Sequence, residues 1–153
     1  MRKLFLLIFF LVSAFGADLS GKVVKVVDGD TITLLTAEKK QIKVRLYGID
    51  APEKKQAFGE KSRNFLTERG GGRVVEVKKK GVDRYKRLLA VIYFKGSDIN
   101  AELVKNGYAW AFIKYSSDYV ALENLAKKNN TGLWRDKNAI APWEFRKNKN
   151  LNK

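Results

Sequence analysis

Histidine and cysteine are both missing from the 153 residues, proline occurs twice and methionine once. Without histidine there is no Ser-His-Asp triad, no imidazole base and no His-ligated zinc; without cysteine there are no disulfides, no thiol chemistry and no Cys-zinc site. Such a chain must be stabilised by packing alone, in whatever compartment it works. Carboxylates are what remain for metal binding and proton transfer, and oxygen-only ligands favour hard cations such as Ca²⁺, Mg²⁺ or Mn²⁺. Acidic charge is itself scarce: 16 Asp+Glu stand against 31 Lys+Arg, a net charge of +15. That balance attracts polyanions, nucleic acid or anionic lipid, without choosing between them.

Long apolar runs are also scarce, and the one present opens the chain. Arg2 and Lys3 precede an unbroken apolar stretch at 4–12, followed by the small-x-small triplet Ala14-Phe15-Gly16. This pattern predicts a signal peptide over 1–16 cleaved after Gly16. The stretch falls short of the ~20 apolar residues that span a bilayer. Membrane contact is therefore expected only in transit, and the mature, still basic protein is expected to be exported, periplasmic or secreted. With 45% hydrophobic residues, among them three Trp, six Tyr and nine Phe, the remainder can fill one core. One domain is expected at 17–145, with a basic, flexible tail at 146–153.

Strand patterns recur at 22–28, 31–36 and 41–47, in close enough succession for an antiparallel meander. In the third, Ile42, Val44 and Leu46 share one face and Lys43, Arg45 and Tyr47 the other, because side chains alternate along a strand. Asp28-Gly29-Asp30 reads as the turn between the first two, with glycine accepting positive φ and aspartate bonding nearby N–H groups. A helix is expected at 60–69, with Phe65 and Leu66 facing inward and Gly70-Gly71-Gly72 as its stop. Strands follow at 73–79 and 88–94. Asn100 is the expected cap of a short helix holding Leu103 and Val104. A third helix starts at Ser117 and Asp118, where Tyr119, Leu122, Leu125 and Ala126 recur at helical spacing. Five strands with a helix between the third and fourth match an OB-type barrel, an α+β fold dominated by its β-barrel.

Asp30 just past a turn and Asp50 just past the third strand reach the same end of the sheet if those strands pair. Each alone reads as turn punctuation; with Arg45 and Arg87 beside them they suit a divalent cation acting on a phosphodiester. Attack on a phosphodiester builds negative charge on phosphoryl oxygens, which a cation and guanidinium forks stabilise more in the transition state than in the ground state.

Val27-Asp28-Gly29-Asp30-Thr31, Arg45-Leu46-Tyr47-Gly48-Ile49-Asp50-Ala51-Pro52-Glu53 and Asp83-Arg84-Tyr85-Lys86-Arg87-Leu88-Leu89-Ala90 resemble, in order, the staphylococcal, thermonuclease-type nucleases. The resemblance extends through Asn100-Ala101-Glu102-Leu103-Val104 and Gly132-Leu133-Trp134, over 22–143. It implies a five-stranded OB-fold barrel with three helices and Ca²⁺-dependent cleavage of DNA and RNA, with little sequence specificity and 3′-phosphate ends. By position it implies Asp30, Asp50 and the backbone carbonyl of Ala51 as ligands of Ca²⁺, Glu53 as general base, and Arg45 and Arg87 on the phosphate. Arg84 and Tyr85 would meet a terminal phosphate. Tyr115 would stack on a base or pack in the core, and Asp28 would order the loop or stand behind the metal ligands. Two departures are visible: Ala51 replaces a threonine, removing a hydroxyl but keeping the carbonyl, and the loop at 54–59 is shorter.

Asp83 reads as a turn acid, and Trp110, Phe112, Trp134 and Trp143 as core and helix-docking residues. The expected partner is nucleic acid as substrate, with a monomer and no stable protein partner. The rival reading is a non-catalytic OB-fold module that binds single strands through charge and stacking. Arg45, Glu53 and Arg87 together argue against it, since binding alone does not need them.

Overall fold

The computed structural model describes residues 16–151, so the expected signal segment, apart from Gly16, lies outside the described residues. The meander forms as the alternation predicts: β1 (Leu19–Asp28), β2 (Thr31–Leu35) and β3 (Gln41–Leu46) pair antiparallel in that order. β1 also pairs with β5 (Val74–Val82), and β5 with β6 (Leu88–Phe94). β6 then runs parallel beside β3, Val44 opposite Leu88 and Leu46 opposite Ala90. That last pairing closes the five strands into a barrel, which leaves no open edge among them. Irregularities in β1 between Val23 and Lys25 and between Val26 and Asp28 supply the bend a long strand needs to wrap the barrel.

The fold is the expected OB-type barrel, with four α-helices among the described residues in place of three. Ile32, Leu34, Val44, Leu46, Val75, Val77 and Ile92 are fully buried inside it. Val44 and Leu46 point in, so Arg45 between them points out of the apolar layer, toward the loops. A short ladder outside the barrel sheet pairs β4 (Ile49–Asp50) with β8 (Trp110–Ala111), while β7 (Ser97–Asp98) pairs antiparallel with the end of β6.

α1 (Gly59–Gly70) packs on β1 and buries Leu66. Phe65 is only half-buried, with its ring on Tyr108 at 4.3 Å, so one of the two expected inward residues serves a side contact. In α2 (Ile99–Lys105) the cap is Asp98, whose carboxylate accepts from Ala101 N at 2.8 Å. Asn100 is instead fully buried: its amide donates to the carbonyls of Tyr47 (3.0 Å) and Ala90 (3.2 Å) and accepts from Ile92 N (3.3 Å). α3 (Val120–Lys128) starts later than Ser117 and Asp118. It turns Glu123 and Ala126 inward, and Leu125 lies exposed. A 3₁₀ turn at Gly132–Arg135 leads to α4 (Pro142–Leu151). The tail from Arg146 onward, expected to fray, is thus helical through Leu151.

Candidate active site

Gly29 between β1 and β2 is a turn residue, as expected, but not for its φ, which is not positive. A Cβ there would lie 2.7 Å from Ser62 Cβ and 2.8 Å from Ala51 Cβ, so glycine is needed for close approach. The approach lets Asp30, 5% exposed, reach the next loop. Its Oδ2 accepts from Ala51 N at 2.7 Å and its Oδ1 from the Thr31 hydroxyl at 3.0 Å. The β3–β4 turn brings Asp50, 1% exposed, alongside.

Arg45 ties the two acids together. Nη1 donates to the carbonyls of Leu46 (2.7 Å) and Ile49 (2.8 Å), fixing the guanidinium on its own turn. Nη2 then reaches Asp50 Oδ1 at 3.1 Å and Asp30 Oδ2 at 3.2 Å. Burial works against the charge on Asp30, but the Arg45 charge and the Ala51 N–H outweigh it and hold this carboxyl below its ordinary value. For Asp50 burial prevails over the Arg146 hydrogen bonds, and with the Asp30 charge it pushes the carboxyl up. Asp28 takes a hydrogen bond from Asp30 N at 3.2 Å, and burial followed by the Asp30 charge pushes it up to about 7. It both orders the loop and stands behind Asp30. Carboxyls crowded in this way raise one another, and Arg45 and Arg146 are the cations that offset them.

Glu53 sits in the loop between β4 and α1. Gly59 makes that loop possible, since a Cβ there would overlap the Glu53 carbonyl at 2.0 Å. Gln56 N donates to the Glu53 carbonyl (2.8 Å), Glu53 N donates to Gln56 Oε1 (3.0 Å), and Gln56 Nε2 donates to the Ile140 carbonyl (2.6 Å). From α4, Arg146 donates through Nη1 to Glu53 Oε1 (2.8 Å) and Asp50 Oδ1 (3.2 Å), and through Nη2 to Asp50 Oδ2 (2.8 Å).

Arg87 belongs to the β5–β6 turn. Asp83 accepts from the N–H groups of Tyr85 (2.9 Å) and Arg87 (3.0 Å) and from Arg87 Nε (2.8 Å). The expected turn acid therefore also aims Arg87. Burial would raise Asp83, but the Arg87 backbone and guanidinium overcome it and keep the carboxyl low. Arg84 bonds the Tyr85 hydroxyl at 2.8 Å and stacks on that ring. Tyr115 is exposed at the rim, its ring 6.1 Å from Tyr47 and 5.1 Å from Phe112.

All ten residues expected at the site line one cleft of about 1180 Å³: Asp28, Asp30, Arg45, Asp50, Ala51, Glu53, Arg84, Tyr85, Arg87 and Tyr115. Of the four aromatics expected as core and helix-docking residues, Trp134 is buried with Trp110 packed against it, and Trp143 docks α4 on Trp110 and Phe112; Trp110, Phe112 and Trp143 also form a wall of this cleft. Arg146 was not foreseen. Its signal was Pro142, a residue suited to the first position of a helix, with Trp143, Arg146 and Asn150 following on one helical face and lining the cleft.

Among the described residues no three acidic side chains gather into a closed metal cage. Asp30 and Asp50 nonetheless face one nitrogen from two sides, and the Ala51 carbonyl accepts no hydrogen bond among the described residues. Two carboxylates and a carbonyl, all hard oxygen donors, fit a cation that completes its shell with water or phosphate.

A closed OB-type barrel with carboxylates and guanidinium groups along one cleft defines a class, phosphodiester-cleaving enzymes of carboxylate–arginine type. The family model described as staphylococcal nuclease homologue matches residues 43–136. An "uncharacterized endonuclease" of Haemophilus influenzae is 46% identical over 150 residues, covering 96% of this chain and 84% of that protein. A "micrococcal nuclease" of Shigella flexneri is 41% identical over 144 residues, 86% of this chain and 82% of that protein. "Staphylococcal-like nuclease CAN1" of Arabidopsis thaliana is 35% identical over 112 residues, 72% of this chain and 35% of that protein. The chain belongs to the staphylococcal nuclease family.

Proposed function

We propose that this protein is an exported, Ca²⁺-dependent endonuclease that hydrolyses phosphodiester bonds of DNA and RNA with little sequence specificity, leaving 3′-phosphate ends. The observation that carries the reading is the convergence of Asp30, Asp50, Glu53, Arg45 and Arg87 on one cleft. Asp30, Asp50 and the Ala51 carbonyl are the groups that would hold the cation, which when bound supplies positive charge to the phosphoryl oxygens. Glu53 Oε2 accepts no hydrogen bond from the described residues, which leaves it able to take a proton from water, a contribution of ~10² to 10⁴-fold in rate. Arg87, anchored through Nε to Asp83, presents its remaining N–H groups to phosphate. Arg45 keeps the two ligand carboxylates in place and contributes charge beneath the phosphate. Arg84, Tyr85 and Tyr115 at the rim supply phosphate and stacking contacts that read no base edge, in keeping with low specificity. Export rests on the segment at 1–16, and mass spectrometry of the mature N-terminus should find Ala17.

The test uses fluorogenic DNA and RNA with Ca²⁺ and with chelator, followed by analysis of the product ends. Cleavage of both with Ca²⁺, abolished by chelator and by Asp30→Ala, is the expected result. Chelator-resistant cleavage would reject the metal mechanism. Tight binding of an intact strand in Ca²⁺ would favour the non-catalytic OB-fold module instead.

A further inference from the structure

Glu53 is placed on a loop rather than on a helix or strand, and its side chain is 37% exposed. A base so situated has to be held by something, because catalytic geometry tolerates little wandering. Among the described residues the one group that bonds its carboxylate is Arg146. We infer that Arg146 is a positioning residue of this site: its guanidinium bridges Asp50 and Glu53 and fixes the two carboxylates relative to each other. The inference rests on the nuclease reading above.

Four observations carry it. The contact is a fork, with Nη1 on Glu53 Oε1 at 2.8 Å and Nη2 on Asp50 Oδ2 at 2.8 Å, which sets direction as well as charge. The two chain segments grip each other at a second point, where Gln56 of the Glu53 loop donates to the carbonyl of Ile140 just before α4. α4 buries only Pro142, and Trp143 leans on Trp110 and Phe112 at 5.6 and 5.7 Å, so packing is a small part of what docks the helix.

The fourth observation concerns lone pairs, of which a carboxylate offers about four. Asp50 spends two on Oδ1, to Arg45 and Arg146, and one on Oδ2, to Arg146. Asp30 spends two on Oδ2, to Ala51 N and Arg45, and one on Oδ1, to Thr31. Asp50 thus retains one position for a cation and Glu53 retains Oε2 for water, while the remaining position of Asp30 faces the Asp28 carboxyl. Arg146 can stay in place while the site works, so it is a clamp and not an occupant of the cation's position.

The experiment combines kinetics with hydrogen exchange. Arg146→Gln should lower kcat by about 10²-fold, leaving KM within about threefold, and Arg146→Lys should recover part of the loss. In a Glu53→Gln background the same change should cost less than about threefold, since Arg146 acts through Glu53. Without substrate, α4 amides of the wild type should keep their protection when Ca²⁺ is added, and lose it in Arg146→Gln while the barrel does not. This arm needs no variant to show compatibility with the cation. Loosening of α4 by Ca²⁺, or a gain of activity in Arg146→Gln, would make Arg146 a competitor of the cation and overturn the inference. Full activity in Arg146→Gln overturns it while leaving the nuclease reading intact; a wild type inert with Ca²⁺ overturns both.

Discussion

Gly29 illustrates how a single residue ties the fold to the site. Its neighbours are the Cβ atoms of Ser62 on α1 and Ala51 beside Asp50, so the turn, the helix and the acid loop meet where a side chain is absent. Gly29→Ala should destabilise the protein by about 1–3 kcal/mol, the usual cost of overpacking. It should also lower activity, because moving Ala51 stretches its N–H bond to Asp30. The cause is separable from backbone strain. Gly29→Asn, which tolerates positive φ, should cost at least as much as Ala, because space and not φ is limiting. Urea unfolding of both variants checks this, and an Asn variant as stable as wild type would refute it.

Among the elements, α2 carries a pH-sensitive cap. Asp98 accepts from Ala101 N at 2.8 Å and from the Tyr119 hydroxyl at 3.1 Å, yet burial raises its carboxyl above the ordinary value of 3.8. The folded protein therefore holds this proton more tightly than the unfolded chain. Its contribution to stability is complete below the unfolded value and is lost as pH climbs through the raised folded value. Asp98→Asn keeps an oxygen for Ala101 N and removes the ionisation. Its melting temperature should gain on the wild type's as pH rises above the ordinary carboxylate value of about 4, and curves that stay parallel would contradict the assignment. Asp98 and Asn100 are equally good caps by composition. What separates them is tertiary, since the Asn100 amide is consumed by backbone groups of Tyr47, Ala90 and Ile92. The strands and α1 were legible because their burial follows local periodicity, and nine of the ten site residues because they sit in three short ordered motifs, Tyr115 lying outside them. α4 had a local signal in Pro142 and the face of Trp143, Arg146 and Asn150, but its docking on the site was not legible, because its anchor is an ion pair between Arg146 and acids more than ninety positions earlier.

For the whole molecule, the distribution of charge matters more than its sum. Of the 16 acidic residues, Asp30, Asp50 and Glu123 are buried and paired with cations, while the described lysines lie exposed. The buried acids are offset by the cations they pair with, so the outer surface keeps the chain's basic excess, and it surrounds a cleft lined by acids and arginines together. Phosphate backbone is drawn to the basic surface everywhere, whereas the cleft sets Asp30, Asp50 and Glu53 among Arg45, Arg87 and Arg146. Loose surface binding and productive binding should then respond differently to salt. With Glu53→Gln to prevent cleavage, single-stranded DNA that meets about six cationic side chains should lose roughly 10² to 10³-fold in affinity between 50 and 200 mM salt at fixed Ca²⁺. In the wild type kcat/KM should fall along the same slope, while kcat, set by groups already inside the cleft, stays nearly flat. Fluorescence anisotropy and steady-state kinetics over one salt series measure the two slopes. A kcat that declines in step with kcat/KM would mean that screening reaches the reacting groups themselves, and that the buried pairs around Asp50 do not insulate the chemistry as their geometry requires.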